Sequence, residues 1–330
     1  MHILGLSAGS RYGNSEILLE AALRAAGQSS PGATTSMIRV PSLRFPRYAR
    51  PLPTSLLPKA VSSNSDDPGQ DDPDDRSKVY DTIMDADAII IATPVYCHLP
   101  PGCLKTLFDT ILGPHADMTL AMGHENAKQD GAKTTTPVNI DPRMLKPRVS
   151  GFIVVSGSGE EMPEQWSLGL VALHQTVYPL QATTVDQATI NGYGIAGSVL
   201  INKEKTVGRA ELLGRRIASQ LHKPLGEAEY LGPEEDGSCP YCHLRIIQWR
   251  EQQRIECGTC GAHGQACISE NGSIRLEWDR DSSVSHLTIK GKHKHMKDLK
   301  TRTDESRPLA KLHAEHNDYK AAIISRLSKL

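Results

Sequence analysis

The stretch DADAIIIATPVYCHLPPGCLKTLFDTIL, residues 85–112, decides the fold of the first part of the chain. Its apolar run over 88–93 predicts a strand that is buried on both faces, as in a parallel sheet. Pro94 has no N–H to donate to a strand ladder, so it ends this strand. The amphipathic pattern over 102–112 predicts a helix directly afterwards.

A strand followed by a helix occurs five times within residues 1–222. The other strands are predicted at 2–6, 36–40, 151–156 and 183–186, and the other helices at 15–26, 77–85, 164–177 and 207–222. Five such alternations predict a three-layer α/β/α sandwich around a parallel sheet. Ligands of such sheets bind at the carboxyl ends of the strands.

Composition limits the possible partners. The chain has 330 residues, 38% of them hydrophobic, and a net charge of −1, so no overall field attracts it to nucleic acid. No apolar stretch approaches the roughly 20 residues that span a bilayer. The N-terminus lacks the pattern of a secretory signal. We therefore expect a cytoplasmic protein that does not associate with membranes, with nucleic acid as its least favoured partner.

Two insertions interrupt the alternation of strands and helices. Residues 62–76, SSNSDDPGQDDPDDR, contain no apolar side chain and predict a solvated loop. Residues 113–148 show no sustained periodicity and follow the third helix, near the ligand-binding edge of the sheet. A segment of this length is typical of a lid or a subunit contact, with disorder as the alternative.

The first strand runs into a loop suited to an anion, within GLSAGSRYGNSEILLEAAL at residues 5–23. Free backbone N–H groups at a helix N-terminus bind phosphate, and an arginine adds a charge-assisted hydrogen bond. The alternative is an ordinary capped turn with Asn14 or Ser15 as the N-cap. The candidate phosphate-binding residues are Ser7, Ser10, Arg11, Asn14 and Ser15.

Two further loops follow strands at the same edge of the sheet. After the third strand, Pro94 is expected to leave backbone N–H and C=O groups free for a planar heterocycle, and Tyr96 offers an aromatic ring. After the fourth strand, small residues let a ligand approach the backbone. The candidates are Thr93, Pro94, Val95 and Tyr96 in one loop, and Ser156, Gly157, Ser158 and Gly159 in the other. Together the three loops predict a site for a mononucleotide with a flat ring system.

These loops, with ADAIIIATPVYCHLPPGCLKTLFD at 86–109 and GFIVVSGSGEE at 151–161, resemble the NADPH-dependent FMN reductase family, in the branch that includes iron–sulfur flavoproteins. The resemblance covers about residues 1–222. It implies a flavodoxin-like fold with strand order 2-1-3-4-5, non-covalent FMN, and a homodimer or homotetramer. It implies that residues 93–96 follow the ribityl chain and isoalloxazine and that 156–159 flank the ring. It also implies that the FMN phosphate is surrounded by Ser7, Ser10, Arg11, Asn14 and Ser15. The cysteine motif of iron–sulfur flavoproteins has no equivalent between residues 40 and 79, so no cluster is expected there.

Four of the seven cysteines form two C-x-x-C pairs, Cys239 with Cys242 and Cys257 with Cys260. The segment between the pairs suits a short hairpin that brings them together. Four thiolates at this spacing predict a closed, structural Zn²⁺ site, a zinc ribbon. Iron bound as in rubredoxin is the alternative, although rubredoxins separate the pairs by a longer segment.

The C-terminal third divides by composition into a linker at 223–236, a zinc ribbon at 237–290, and a basic tail with a terminal helix at 291–330. A hairpin is predicted over 266–278 around Asn271-Gly272. The basic run at 290–302 is interpreted as a solvated face, or else as an arm that binds the phosphate of NADPH or a partner subunit. We expect the terminal helix to dock onto a subunit.

The expected protein is an FMN-dependent NAD(P)H oxidoreductase that passes hydride through the flavin to a quinone-like or other aromatic acceptor, or to free flavin. Two alternatives remain open: a flavin-binding electron carrier or assembly scaffold, and a flavin-free relative. Near the ring site, His98 is interpreted as a proton donor or as a solvent-facing histidine. Cys97 and Cys103 are interpreted as small buried residues.

Overall fold

The structure is a computed structural model that describes residues 1–45, 74–112, 117–119, 121–123, 141–180, 182–224, 226–306 and 312–326. Most of the predicted solvated loop at 62–76 and most of the insertion at 113–148 lie outside these residues. The last four residues of the predicted terminal helix also lie outside them.

Five parallel strands form the central sheet in the order β2-β1-β3-β4-β5. They are β1 His2–Ser7, β2 Thr34–Arg39, β3 Ala88–Pro94, β4 Arg148–Val155 and β5 Ala182–Ile190. In β3, residues 88–93 are all buried, because both faces of this central strand are covered by helices. The predicted parallel sheet and its strand order are confirmed.

Five helices cover the two faces of the sheet. They are α1 Asn14–Ser29, α2 Arg76–Asp85, α3 Gly102–Ile111, α4 Leu168–Val177 and α5 Val207–Gln220. Helices α1 and α5 contact each other on one face, and a Cβ at Gly214 would lie 2.0 Å from the Ala22 carbonyl oxygen. Helices α2, α3 and α4 pack on the other face around Ile83, Phe108 and Leu173. The molecule is therefore a three-layer, flavodoxin-like sandwich.

Several of the predicted element boundaries are wrong; for example, β4 begins at Arg148 rather than at residue 151. Helix α4 begins at Leu168 rather than at residue 164, because a 3-10 turn occupies Pro163–Gln165 and Trp166 has a non-helical φ of −138°. Strand β5 continues to Ile190, four residues beyond the prediction, because it stays hydrogen-bonded to β4 despite its polar side chains.

The C-terminal sheet has four antiparallel strands, β6 Ile247–Trp249, β7 Arg254–Cys257, β8 His263–Ile268 and β9 Ile274–Trp278. The turn between β8 and β9 contains Gly272 at a φ of +80°, a left-handed conformation that favours glycine. The hairpin predicted around Asn271-Gly272 is therefore confirmed.

Two more helices follow this sheet, α6 Ile289–Glu305 and α7 His313–Arg326. The segment predicted as a linker lies against the outer edge of the central sheet, where the Leu231 N–H donates to the Val185 carbonyl at 2.7 Å. Next to it, Tyr230 stacks on His243 with ring centroids 3.6 Å apart. Among the described residues, no helix has the length and apolar character needed to cross a membrane.

Candidate active site

The loop between β1 and α1, residues 8–13, leaves the N-terminus of α1 open. The N-cap is Gly13, so no side chain caps the first N–H groups, and the alternative of a turn capped by Asn14 or Ser15 is wrong. Ser7 is fully buried, and its hydroxyl oxygen has no hydrogen-bond partner among the described residues. A Cβ at Gly9 would lie 3.0 Å from Ser15 Cβ, so a larger residue here would require the start of α1 to shift. Uncapped N–H groups and an unpaired hydroxyl are donors that can bind an anion.

The polar residues in and next to the β1 loop differ in exposure and in hydrogen-bond partners. Ser10 and Arg11 are exposed, and the Arg11 guanidinium donates to Tyr12 Oη at 2.8 Å. The buried Asn14 amide instead donates to the Tyr193 and Ile195 carbonyls, at 2.8 and 2.9 Å. Asn14 therefore ties the β1 loop to the segment that follows β5.

An ion pair fixes the shape of the β1 loop. Tyr12 has a φ of +59°, and its N–H donates to Glu16 Oε2 at 2.7 Å. Arg39, at the end of β2, donates to the same carboxylate at 2.9 Å. The hydrogen bonds from Arg39 hold the pKa of Glu16 below its ordinary value. The left-handed residue is thus held by a carboxylate that stays ionised near neutral pH.

The β3 loop, residues 95–101, is more tightly paired than its sequence predicts. The Val95 N–H donates to the Val155 carbonyl at 2.9 Å, and the Tyr96 N–H donates to the Leu99 carbonyl at 2.8 Å. The expectation that both N–H groups are free for a ligand is therefore wrong. Thr93 is buried, whereas the Tyr96 side chain is 56% exposed and remains available to a planar ring.

The turn at the tip of the β3 loop has an unusual conformation. Cys97 and His98 both have positive φ, +49° and +71°, although neither is a glycine. His98 Nδ1 lies 2.9 Å from the Glu164 carbonyl oxygen. Cys97 is exposed and Cys103 is half-buried, so their interpretation as buried residues is wrong for Cys97. Burial raises the pKa of the Cys103 thiol.

The β4 loop, residues 156–167, lies next to the β3 loop. The Ser158 N–H donates to Ser156 Oγ at 3.0 Å, and Trp166 Nε1 donates to the Gly159 carbonyl at 3.1 Å. A Cβ at Gly157 would lie 3.1 Å from Gly194 Cα. The predicted small residues thus allow two backbone segments to meet at the edge of the sheet.

A fourth loop belongs to this edge and was missed from the sequence. Residues 191–197, NGYGIAG, follow β5, and the Gly192 and Tyr193 N–H groups donate to the Ser158 and Ser156 carbonyls, at 2.8 and 2.9 Å. Ile195 is 80% exposed at its tip. The three glycines of this loop were a signal that could have indicated it. They were not placed at the carboxyl edge of the sheet because the predicted fifth strand ended four residues too early.

A separate apolar cavity of about 310 Å³ lies between α3 and α4. It begins at Leu99 and extends past Phe108 and Thr176 to Pro179. Residues 99–101 of the β3 loop form one end of the cavity. The phosphate-binding candidates of the β1 loop are not among its lining residues.

The four predicted metal ligands converge in the C-terminal sheet. Cys239, Cys242, Cys257 and Cys260 are buried, and their sulfurs lie within 4.8 Å of one another. Two of the sulfur pairs are separated by 3.5 and 3.4 Å. Tetrahedral Zn–S bonds of about 2.3 Å require sulfurs about 3.8 Å apart. The cluster therefore fits a small zinc ribbon.

Side chains of the sandwich hold both cysteine turns. Gln187 on β5 donates to the Cys242 carbonyl at 3.0 Å, and its amide oxygen lies 2.8 Å from Nε2 of the buried His174. Gln175 on α4 donates to the Thr259 carbonyl in the second turn. The two sheets are thus joined through polar contacts at the metal-binding loops.

Fold and edge loops together define a flavodoxin-like α/β protein with a candidate nucleotide site at the carboxyl ends of its strands. The model of the NADPH-dependent FMN reductase family matches residues 1–189, and the chain belongs to that family. It is therefore an FMN-containing oxidoreductase that uses a reduced nicotinamide.

Two known proteins are similar over nearly the whole chain. Flavone synthase cfoJ of Aspergillus candidus is 37% identical over 305 residues, which are 91% of this chain and 88% of that protein. A solved structure described as a flavone reductase has a TM-score of 0.71 and 24% identity, and it covers 100% of this chain and 99% of its own. The second likeness concerns the fold alone.

Proposed function

We propose that this protein is an NAD(P)H-dependent reductase of aromatic carbonyl compounds, and that FMN is held by the four loops at the carboxyl edge of the sheet. The observation that carries the proposal is the pairing of the uncapped N-terminus of α1 with the buried, unpartnered hydroxyl of Ser7. These groups suit a phosphate monoester, because the helix dipole and unpaired donors favour a doubly charged anion.

Individual residues have distinct proposed roles around the FMN. Ser7, Ser15 and the N–H groups of the β1 loop would bind the phosphate, with Ser10 and Arg11 at its exposed side. Asn14 would position the β1 loop through its hydrogen bonds to the segment after β5. Residues 93–96 would follow the ribityl chain and one edge of the ring, and residues 156–159 would flank the ring.

When bound, FMN supplies the hydride chemistry. The chain contributes a site that is open at the ring, since small residues occupy 156–159 and Tyr96 is largely exposed. A nicotinamide and an acceptor would bind there in turn, in a ping-pong sequence. The apolar side chains at the loop tips, Tyr96 and Ile195, favour an uncharged aromatic acceptor.

The acceptor class is an aromatic ring conjugated to a carbonyl group, as in a quinone or a flavone. A relative named as a flavone synthase is 37% identical to this chain, which favours a compound of the flavonoid type as the small molecule bound at the ring. A quinone and a flavone each gain one hydride and one proton on reduction, so the same site would reduce either compound. Free flavin would also gain one hydride and one proton.

The cysteine cluster is proposed to bind one Zn²⁺ through four thiolates. Such a site leaves no open position for substrate, so its role would be to fold the C-terminal sheet and hold it against α4 and β5. We also propose that the protein is cytoplasmic and forms a homodimer or homotetramer, as the family resemblance implies.

The test is the visible absorption spectrum of the purified protein before and after anaerobic NADPH, with metal content measured on the same sample. We expect about one FMN per chain that bleaches with NADPH, together with zinc and no iron. Bound FMN that NADPH does not bleach would favour the electron carrier. A colourless protein that takes up no added FMN would refute the proposed site.

A further inference from the structure

The turn Tyr96-Cys97-His98-Leu99 holds a histidine in a conformation that histidine seldom adopts. Its two central residues have positive φ, and its ends are joined by reciprocal hydrogen bonds of 2.8 and 3.2 Å between Tyr96 and Leu99. Such turns ordinarily use Asn-Gly, because only small or flexible residues tolerate both angles. The sequence instead places an imidazole at the tip of a tightly paired turn, and strain of this kind is typical of functional sites.

A hydrogen bond from a neighbouring loop fixes the orientation of this imidazole. His98 Nδ1 lies 2.9 Å from the Glu164 carbonyl oxygen. A carbonyl oxygen only accepts, so Nδ1 must carry the hydrogen and donate it. The other ring nitrogen, Nε2, is then the one that gains and loses a proton, and the exposed side chain lets that proton exchange with water.

His98 lies just after the segment that is proposed to run along the flavin ring. It follows Tyr96 by two residues, and Tyr96 ends the segment proposed to run along the isoalloxazine. Glu164, which holds the imidazole, belongs to the β4 loop that begins with Ser156–Gly159. His98 therefore bridges the two loops that would flank the ring.

We propose that His98 is the general acid that protonates the aromatic acceptor, which rests on the proposed function. Reduction of the acceptor consumes one hydride, supplied by NAD(P)H, and one proton. The hydride forms a new bond to the acceptor and displaces a π electron pair toward its carbonyl group. That electron pair takes the proton from His98 Nε2, and the neutral imidazole regains a proton from water. The sum is NAD(P)H, one proton and the acceptor giving NAD(P)⁺ and the two-electron-reduced acceptor.

Other titratable groups lie on the two segments that meet at this imidazole. They are Tyr96 and Cys97 on the turn itself, and Glu160, Glu161 and Glu164 on the β4 loop. An imidazole that donates through Nδ1 keeps Nε2 for proton transfer to a substrate, a role that histidine often has in enzymes. The five neighbouring groups stay in place when only His98 is replaced.

The first test compares two half-reactions by stopped-flow absorbance in the wild type, His98→Asn and His98→Gln. NADPH bleaching of the bound FMN serves as the internal reference, and 1,4-naphthoquinone is the acceptor probe. Asparagine tolerates positive φ, so His98→Asn preserves the turn. His316→Asn, at an exposed histidine on α7, is the matched control.

We expect the ratio of the reoxidation rate to the bleaching rate to fall about 100-fold in both His98 variants, within the range typical of general acids. The dependence of this ratio on pH should also differ from that of the wild type. The His316→Asn ratio should match the wild type.

A second test needs no turnover. Ring ¹⁵N chemical shifts of the flavin-free wild type at neutral pH should show His98 with its proton on Nδ1. A proton on Nε2 in the neutral ring would overturn the proposal, since Nδ1 could not then donate to Glu164.

The two proposals fail in distinguishable ways. If wild-type protein binds no FMN, is not bleached by NADPH or does not reduce the quinone, the proposed function fails and the role of His98 fails with it. If the wild type completes both half-reactions and the His98 variants keep its rate ratio and pH profile, only the assignment of His98 is overturned.

Discussion

Lys292 offers a pH-dependent test of how the basic tail is attached. It lies on α6 and is only 2% exposed, so the interpretation of the basic run as a solvated face is wrong for this residue. Its ammonium group donates to the Tyr178 carbonyl at 2.6 Å and lies 4.5 Å from the centre of the Tyr178 ring. Burial lowers the pKa of Lys292 to about 8.

The pKa shift fixes the sign and size of the effect. The ordinary pKa of lysine is 10.5, so the unfolded chain keeps its proton at pH values where folded Lys292 has lost it. The unfolded state then binds more protons, and stability rises with pH. Between about pH 7 and about pH 9.5, a shift from 10.5 to about 8 adds about 2 kcal/mol to the free energy of unfolding. Below the folded pKa this contribution is absent.

The assay is urea unfolding at both pH values for the wild type, Lys292→Met and Lys297→Met. Methionine fills the same space without a charge, and Lys297 is an exposed lysine on the same helix, so it controls for the change in net charge. We expect the Lys292→Met protein to lack about 2 kcal/mol of the pH-dependent gain that the other two proteins show. Equal gains in all three proteins would refute the burial of a charged Lys292.

Three further predictions concern the sandwich and the cysteine cluster. Ser7→Ala should weaken FMN binding about 10-fold, measured by flavin fluorescence titration, because one hydrogen bond to a charged group is lost; an unchanged affinity would contradict the phosphate site. Asp186→Asn should lower the free energy of unfolding by about 3 kcal/mol, because this fully buried carboxylate pairs with Arg209 and Arg216; a loss below about 1 kcal/mol in urea unfolding would show that the pairs contribute little. Cys257→Ser should reduce the bound zinc, measured by mass spectrometry, and lower the Tm, whereas Cys267→Ser, outside the cluster, should do neither; full zinc content in Cys257→Ser would exclude a four-thiolate site.

The sequence alone was sufficient for the parallel sheet and for the edge at which three of the candidate loops meet. The apolar run at 88–93 is buried because a central parallel strand has helices on both faces. Such a strand needs apolar side chains at successive positions, and this run can be recognised in the sequence of the strand itself. Loops after such strands meet at one edge in every sheet of this topology. The cysteine spacing likewise predicted the cluster, since two short turns bring four thiolates together.

Only the tertiary structure decided how individual polar groups are used. Asn14 was a phosphate ligand candidate, yet its amide bonds to carbonyls 179 and 181 residues away. The ammonium group of Lys292 is buried against a carbonyl 114 residues away, and His98 is oriented by a carbonyl 66 residues away. Hydrophobic periodicity shows which face of a helix or strand is apolar. It does not show which distant residue folding brings into contact with that helix or strand. The hydrogen bonds that orient the candidate site form between distant segments. The sequence therefore determined the sheet and its edge loops, and the folded chain determined which partners the polar side chains of those loops have.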